Sequence, residues 1–433
     1  MPGPLDGIKV LELTQIVAGP MCGVMLSDLG ADVVKIESPQ GDAVRLVGQF
    51  MPHESKVFHV MNRGKRGIVL NLQSEAGRAV VRRLVRDFDV FVINARPGVA
   101  ERLGVDYQSL SAENPQLVYL ENSAFGPEGP SADRAGADII AQAYSGLLAA
   151  NEKLDEQGGP AASSATVPVD YGAAWTSAMS ICAALFHRER TGRGQRIETS
   201  LLGAALTFQN TSVARVPVSD ADLLQPSIDA VNEIRSRGGT YREMLDARNG
   251  TRTMLGAAYF LYYGGYQAAD GAIMLGCVTS SNRQQVRNAL GLTEADDPTD
   301  SEHFNPLDPD SAEMVEHARK NISARFLSDT TANWIAKLDA AGAPASQVNL
   351  PEDMFDDPQV QAIGAIAEIE HPLTGPEQLV GPVYRMSDSP PDASGPSPIF
   401  DGDTDDILRE HGYAETEISA LRELGAVGVE AGD

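Results

Sequence analysis

Apolar positions along this chain follow two periods that alternate. Ile8–Leu13 (IKVLEL) is a short apolar-rich run with the length of a buried strand. A loop, Thr14–Pro20, follows. Met21, Val24, Met25 and Leu29 then recur at helical spacing until Gly30, a fitting C-terminal stop, and Pro20 suits the first turn of that helix. Val33–Ile36 is the next strand, so the chain opens on a β-α-β unit. The alternation continues. Strands are expected at Ile68–Leu72, Val90–Ile93, Leu117–Glu121 and Arg196–Ser200. Helices are expected at Glu75–Asp87, Val99–Leu103, Asp138–Leu148, from Asp170 through Phe186, and at Leu201–Thr211. Such a pattern predicts a parallel α/β sheet, whose ligands gather at the loops after the strands' C-terminal ends. Val17, the Leu70–Gln73 stretch and Asn94–Arg102 fall at or near that edge.

The pattern changes after about Val213. Pro217–Asn249 is polar without a strong period and reads as a linker or long excursion. Ala258–Leu275 carries five aromatic residues around Gly264-Gly265. Helices are expected at Ser281–Leu290, Ser311–Leu327 and Thr331–Ala341, forming a smaller α/β domain. Ala343–Val348 resumes a strand, followed by short helical turns in Asp353–Ile363. Strands at Ile366–His371 and Gln378–Met386, a Pro/Ser-rich linker at Pro390–Pro398, and helices at Thr404–His411 and Ala414–Leu424 complete the chain. A polar linker is also expected at Ala150–Ala165. With 433 residues, two domains are the natural division.

Composition narrows the function. Apolar content of 42% and charged content of 22% are those of a soluble globular protein. The formal net charge of −26 argues against nucleic acid and anionic membrane as partners. No apolar run approaches the ~20 residues of a membrane span. The N-terminus lacks a basic region followed by an apolar core, so a cytoplasmic location is expected. Cys22, Cys182 and Cys277 are too scattered for a disulfide framework or a metal knuckle, and no metal site is expected. The turn Ala18-Gly19-Pro20-Met21-Cys22-Gly23 lacks the G-x-G-x-x-G spacing, so no dinucleotide is inferred.

The chemistry centres on Asp170. It opens a long helix of small residues (Ala173, Ala174, Ala183, Ala184) that ends in His187-Arg188-Glu189-Arg190 and a Thr191–Gly194 turn. Asp is a favoured helix N-cap, so position alone leaves cap and catalytic carboxylate both open. Asp138 carries the same pair of readings. The basic turn Arg63, Lys65 and Arg66 reads either as a solvated turn or as a phosphate contact.

A series of segments, in order, resembles the family III (CaiB/BaiF-type) coenzyme A transferases over most of the chain. They are PLDGIKVLELTQIVAGP, LGADVVKIE with Gly41-Asp42 and Arg45, NRGKRGIVLNL, INARPGVAERLG and DIIAQAYSG. Asp170 with its helix, HRERTGRGQRIETSLL, APASQV, Asp357-Pro358-Gln359-Val360 and TDDILREHGY follow. The resemblance implies a Rossmann-like large domain (residues 1–215 and 343–433) with an inserted small α/β domain (linker and domain, 216–342). It also implies an interlocked, ring-like homodimer. The implied activity is transfer of coenzyme A from an acyl-CoA thioester to a carboxylic acid, with Asp170 as the nucleophile of covalent aspartyl intermediates. Coenzyme A is then a substrate, and no permanently bound cofactor is implied. Coenzyme contacts carried over by matching position are Ala18, Leu70, Asn94 and Arg102, with Asp138 beside the nucleophile.

Departures from the family shape the reading. Val17 stands where formyl-CoA transferases carry a glutamine and Ser38 where they carry an arginine, and Gly264–Gln267 matches their glycine loop only loosely. All three argue against formyl-CoA:oxalate as the specific reaction. Ala137 stands where the related α-methylacyl-CoA racemases carry a histidine base, which disfavours proton transfer. An intramolecular CoA shift would use the same Asp170. A non-catalytic CoA-ester-binding subunit is the alternative outside catalysis, and it predicts loss of the nucleophile, which is present. Arg45, Arg63 and Arg66 are candidates for holding a second carboxylate of a dicarboxylic acyl group.

Overall fold

The protein is described by a computed structural model covering residues 2–161, 166–300, 304–306, 308, 310–393 and 395–429. The last four residues of the expected Ala150–Ala165 linker, and Ser394 within Pro390–Pro398, lie outside the described residues. Contacts divide the chain into two compact units. The first comprises Met1–Lys153, Pro160–Ala214 and Pro358–Asp433, and the second Leu154–Gly159 and Arg215–Asp357.

The first unit is built on a six-stranded parallel sheet: β1 (Lys9–Leu13), β2 (Asp32–Glu37), β3 (Lys65–Val69), β4 (Val90–Asn94), β5 (Val118–Ser123) and β6 (Gln195–Ser200). Their order is β3-β2-β1-β4-β5-β6, the doubly wound arrangement in which the direction of winding reverses between β1 and β4. Apolar residues occupy consecutive positions in β1 and β4 because helices cover both faces. On one face, α1 (Ala18–Asp28) packs with the long helix opened by Pro168. Cys22 and Leu26 meet Val10, Val90 and Val118 there. On the other face lie α2 (Glu75–Leu84) and the chain's C-terminal segment.

That C-terminal segment is part of this unit's core. Ile407, Leu408 and Ile418 are buried in the same cluster as Val34, Ile68 and Phe91. Edge strand β3 is bonded by it: the Gly67 N–H donates to Asp403 Oδ2 (2.9 Å) and the Val69 N–H to Thr404 Oγ1 (3.0 Å).

Three further helices position the site: α3 (Val99–Leu103), α4 (Asp138–Ser145) and α5 (Pro168–Thr191). The expected Asp138–Leu148 helix breaks at Gly146, whose φ of +87° is a left-handed stop. Helix α5 starts with Pro168 in its first turn and ends at Gly192 (φ +70°), whose N–H reaches Arg188 O at 2.7 Å. Its small residues let backbone approach backbone: Ala174, Ala178 and Ala184 join the buried cluster under the sheet. A Cβ on Gly172 would stand 2.7 Å from the Phe208 ring.

The second unit has a three-stranded antiparallel sheet: β7 (Tyr263–Gln267), β8 (Ala272–Gly276) and β9 (Ala345–Gln347), with β8 central. Its core gathers Tyr262, Ile273, Leu275, Ile322, Phe326 and Trp334. Pro217–Asn249 is not the linker expected from its pattern. It is helical, in Pro217–Leu223, Gln225–Ser236 and the start of Tyr241–Phe260. These helices are solvated over most of their surface, so no apolar stripe marks them. Their start signals were nevertheless present: Pro217 and Pro226 sit in first turns, and Thr240 with Glu243 forms a capping box.

Candidate active site

The point where the sheet's winding reverses carries a cleft of about 390 Å³. Its lining comes from the loops after β1 (Gln15–Ala18), β4 (Asn94–Arg96) and β5 (Asn122–Ala124), with Ala135–Ala137, Asp170 and Leu201. Such a switch point is where open α/β sheets bind ligands.

Asp170 is the third residue of α5 and is 8% exposed. Its side chain does not cap its own helix. That role belongs to Asp138, whose Oδ2 accepts the N–H groups of Val169 (2.7 Å) and Asp170 (3.0 Å). Gln142, one turn along α4, donates to the other Asp138 oxygen. Two carboxylates therefore sit together at one helix start. Burial, and then the Asp138 charge, push the Asp170 carboxyl up to about 7. Among the described residues, no donor is bonded to the Asp170 carboxylate, and its open side belongs to the cleft.

The other carried-over positions divide. Ala18 and Asn94 line the cleft. The Asn94 amide is already engaged, pairing with both backbone groups of Gln15 at 2.8 Å. Leu70 is in the core, bridged to Val427, and Arg102 is exposed on α3; neither lines the cleft. Val17 and Ala137 are in the wall. Among the described residues no histidine lines it, so proton abstraction by imidazole has no candidate there.

The arginines suggested for a second carboxylate are occupied elsewhere. Arg45 is buried and grips Glu37 through Nε and Nη2, both at 2.8 Å, and also bonds Pro398 O and His53 O. Arg63 is buried in a two-point pair with Asp28. Arg66 pairs with Asp32 and Glu410. Their partners are distant in sequence, which is why the basic turn looked available. Among the described residues, the cation that does line the cleft is Arg96, which is exposed.

Charged groups inside the strands are the part sequence reasoning missed. Glu12 in β1, Lys35 in β2, Lys65 in β3 and Asp42 are fully or nearly fully buried together. Lys65 Nζ meets Glu12 Oε1 at 2.7 Å and Lys35 Nζ meets Asp42 Oδ2 at 3.0 Å. Burial pulls the Lys65 ammonium down to about 8 against the opposing pull of Glu12. A Cβ on Gly23 would stand 1.9 Å from Glu12 Oε2, so glycine there makes room for this group. The readable signal was a charge interrupting each apolar run: Glu12 in IKVLEL and Lys35 in VVKIE.

A separate polar cluster joins Glu54, His59, His371 and Glu377. Glu54, His59 and His371 place potential metal-ligand atoms within 4.8 Å of one another. Both His59 nitrogens are taken, by Glu54 at 2.8 Å and Glu377 at 2.6 Å, and its ring stacks on His371. Stacked rings do not converge on one ion. Burial lowers the His59 pKa, but the two glutamates outweigh it and hold the imidazolium above its usual range.

The fold and cleft are those of a doubly wound α/β enzyme, and comparison with known proteins gives the family. A model of CoA-transferase family III matches residues 5–404, and the chain belongs to that family. It is 32% identical over 381 residues to the succinate–glutarate CoA-transferase of Agrobacterium fabrum, covering 85% of each chain. It is 28% identical over 437 residues to the formyl-CoA:oxalate CoA-transferase of Shigella sonnei, covering 99% of this chain and 100% of that one. Among solved structures it resembles a CAIB/BAIF family protein from Brucella suis. The TM-score is 0.71 and the identity 30%, covering 95% of this chain and 100% of that chain. The protein is thus a CoA-transferase that moves coenzyme A from an acyl-CoA to a carboxylic acid.

Proposed function

We propose that Asp170 is the nucleophile and that the acceptor is a dicarboxylic acid. The observation carrying the first part is the geometry of Asp170: buried, facing the cleft, and bonded to no described donor. An Asp170 oxygen attacks the thioester carbonyl and the C–S bond breaks, giving a mixed anhydride and the CoA thiolate. The thiolate attacks the Asp170 carbonyl, the donor acid leaves, and CoA is held as an aspartyl thioester. The acceptor carboxylate attacks that thioester, forming a second anhydride and freeing the thiolate. Attack of the thiolate on the acceptor's acyl carbon yields the new acyl-CoA and restores Asp170. No oxidant or net proton is needed.

Each anhydride is open to hydrolysis, so the site must exclude water. Ile16, Val17, Ala18, Ala124, Ala137 and Leu201 supply walls with few side-chain groups to hold it. Ala18 opens α1, and no described acceptor takes its N–H, which makes it a candidate donor to the developing oxyanion. Asn94 fixes the wall next to it, and Leu70, Arg102 and Asp138 remain candidate coenzyme-side positions.

Dicarboxylate acceptors are supported by the relatives, which are named for glutarate and oxalate, and by Arg96 in the cleft lining, since a guanidinium pairs bidentately with carboxylate. With succinyl-CoA as donor, glutarate is expected to give kcat/KM at least ~10-fold above a monocarboxylate of equal length, in the range one charged contact supplies. Preference for the monocarboxylate would overturn the substrate class and leave the nucleophile untouched.

We also propose the interlocked homodimer. Trp175 (55% exposed), Met179 (67%) and Phe186 (64%) recur at helical spacing along α5, a large apolar stripe for a free surface. Tagged and untagged preparations mixed after folding are expected to remain separate dimers. A monomer in sedimentation, or rapid hybrid formation, contradicts this.

A further inference from the structure

We propose that Asp42, braced by Lys35, is a positioning residue for the reaction. It holds Ile16 in a left-handed backbone conformation and thereby fixes the Gln15–Ala18 wall of the Asp170 cleft. The proposal rests on the reading that this cleft is where CoA is transferred.

Ile16 has φ +72°. A β-branched residue adopts that region only when its surroundings impose it. Packing within the chain does not impose it here, since Ile16 is 51% exposed. What holds the segment is a set of polar bonds to its backbone. The Ile16 N–H donates to Asp42 Oδ1 at 3.3 Å, and the same oxygen accepts the Val44 N–H at 3.2 Å. Asp42 Oδ2 is paired with Lys35 Nζ at 3.0 Å, and Lys35 Nζ also donates to Thr14 O at 2.7 Å. Asn94 clamps both backbone groups of Gln15. Beyond the loop, Lys65 Nζ, paired with Glu12, donates to Pro20 O at 2.8 Å. Thr14, Gln15, Ile16 and Pro20 are thus each tied to a side chain of another element. Asp42 and Lys35 are 1% exposed or less, so these bonds are not shared with solvent.

The consequence is local and directional. The turn at Ile16 delivers Val17 and Ala18 into the cleft and starts α1 there with the Ala18 N–H unclaimed. Released from Asp42, Ile16 relaxes towards negative φ and the wall shifts. A shift of about 1 Å at a reacting centre costs rate on the order of 10²-fold while leaving much of the binding intact. Asp42 touches no reacting atom; it acts through Ile16.

A double-mutant cycle on turnover tests this. Glycine adopts positive φ without strain, so Ile16→Gly removes the need for restraint at that residue. Asp42→Ala alone is expected to lower kcat by at least ~10-fold with KM changed less than ~3-fold, because positioning affects the transition state more than ground-state binding. In the Ile16→Gly background the same change is expected to lower kcat by no more than ~3-fold. Equal losses in both backgrounds, or an effect confined to KM, overturn the proposal. If Asp42→Ala fails to fold, Asp42→Asn is used, and its kcat loss must shrink in the Ile16→Gly background in the same way. Hydroxylamine trapping at Asp170 in the unsubstituted protein separates the two claims. Its absence sinks the reading of the cleft, whereas its presence with equal losses sinks only the role of Asp42.

Discussion

Asp170→Asn is expected to abolish CoA exchange, by at least ~10³-fold as for loss of a covalent nucleophile, and to yield a protein that is more stable at pH 8. The gain follows from where the carboxyl sits. In the folded protein it titrates at about 7 rather than at its ordinary value of 3.8, because burial and the Asp138 charge disfavour the ionised form. The sign follows from linkage: below pH 3.8 the carboxyl is neutral in both states and costs nothing. As pH rises towards 7 the unfolded state ionises first, and the fold loses stability progressively. Above 7 the full cost is present. Asn carries no such cost, so the variant gains ~2–4 kcal/mol at pH 8 and little at pH 4, read as a Tm difference that grows with pH. Activity of the unsubstituted protein rises with pH with a midpoint at about 7 and levels off about one unit higher, since only the carboxylate attacks. A variant that is less stable than its parent at pH 8 would contradict the buried-charge account.

Asp138→Asn moves that midpoint. Asparagine can keep the carbonyl bond to the Val169 and Asp170 N–H groups, and Gln142 can turn its amide to suit. What is lost is the charge beside Asp170. The midpoint of the rate–pH profile then falls by about one pH unit, as for removal of a neighbouring like charge. Asp138→Ala differs, because it removes the bonds as well. It leaves the first turn of α5 uncapped, costs about 1–3 kcal/mol, and lowers kcat through misplacement of Asp170. A midpoint unmoved in Asp138→Asn means that burial alone sets the Asp170 titration.

Much of this molecule was legible in its sequence. The alternation of short apolar runs with helical spacing marked the strands of the sheet in order, because parallel strands covered on both faces are mostly apolar, with Glu12, Lys35 and Lys65 admitted only as mutually paired charges. Asp170 was legible as a choice between cap and nucleophile. The choice could not be made from position, since the capping carboxylate, Asp138, lies 32 residues away. The arginines failed for the same reason: the partners of Arg45, Arg63 and Arg66 lie 8, 35 and 34 residues off and meet them only in the folded chain. The helices of Pro217–Asn249 were hidden by their solvation, which removes the apolar period that marks a helix. The left-handed turn at Ile16 carried no local signal, because a β-branched residue is the last expected there and long-range bonds impose it.

The central claim is that CoA passes through a covalent bond to Asp170. The most direct measurement is peptide mass spectrometry after incubation with succinyl-CoA and hydroxylamine. A hydroxamate is expected on the peptide carrying Asp170, dependent on the acyl-CoA and missing in Asp170→Asn. An unmodified Asp170 in protein that is turning over, or adduct on another carboxylate, would contradict it.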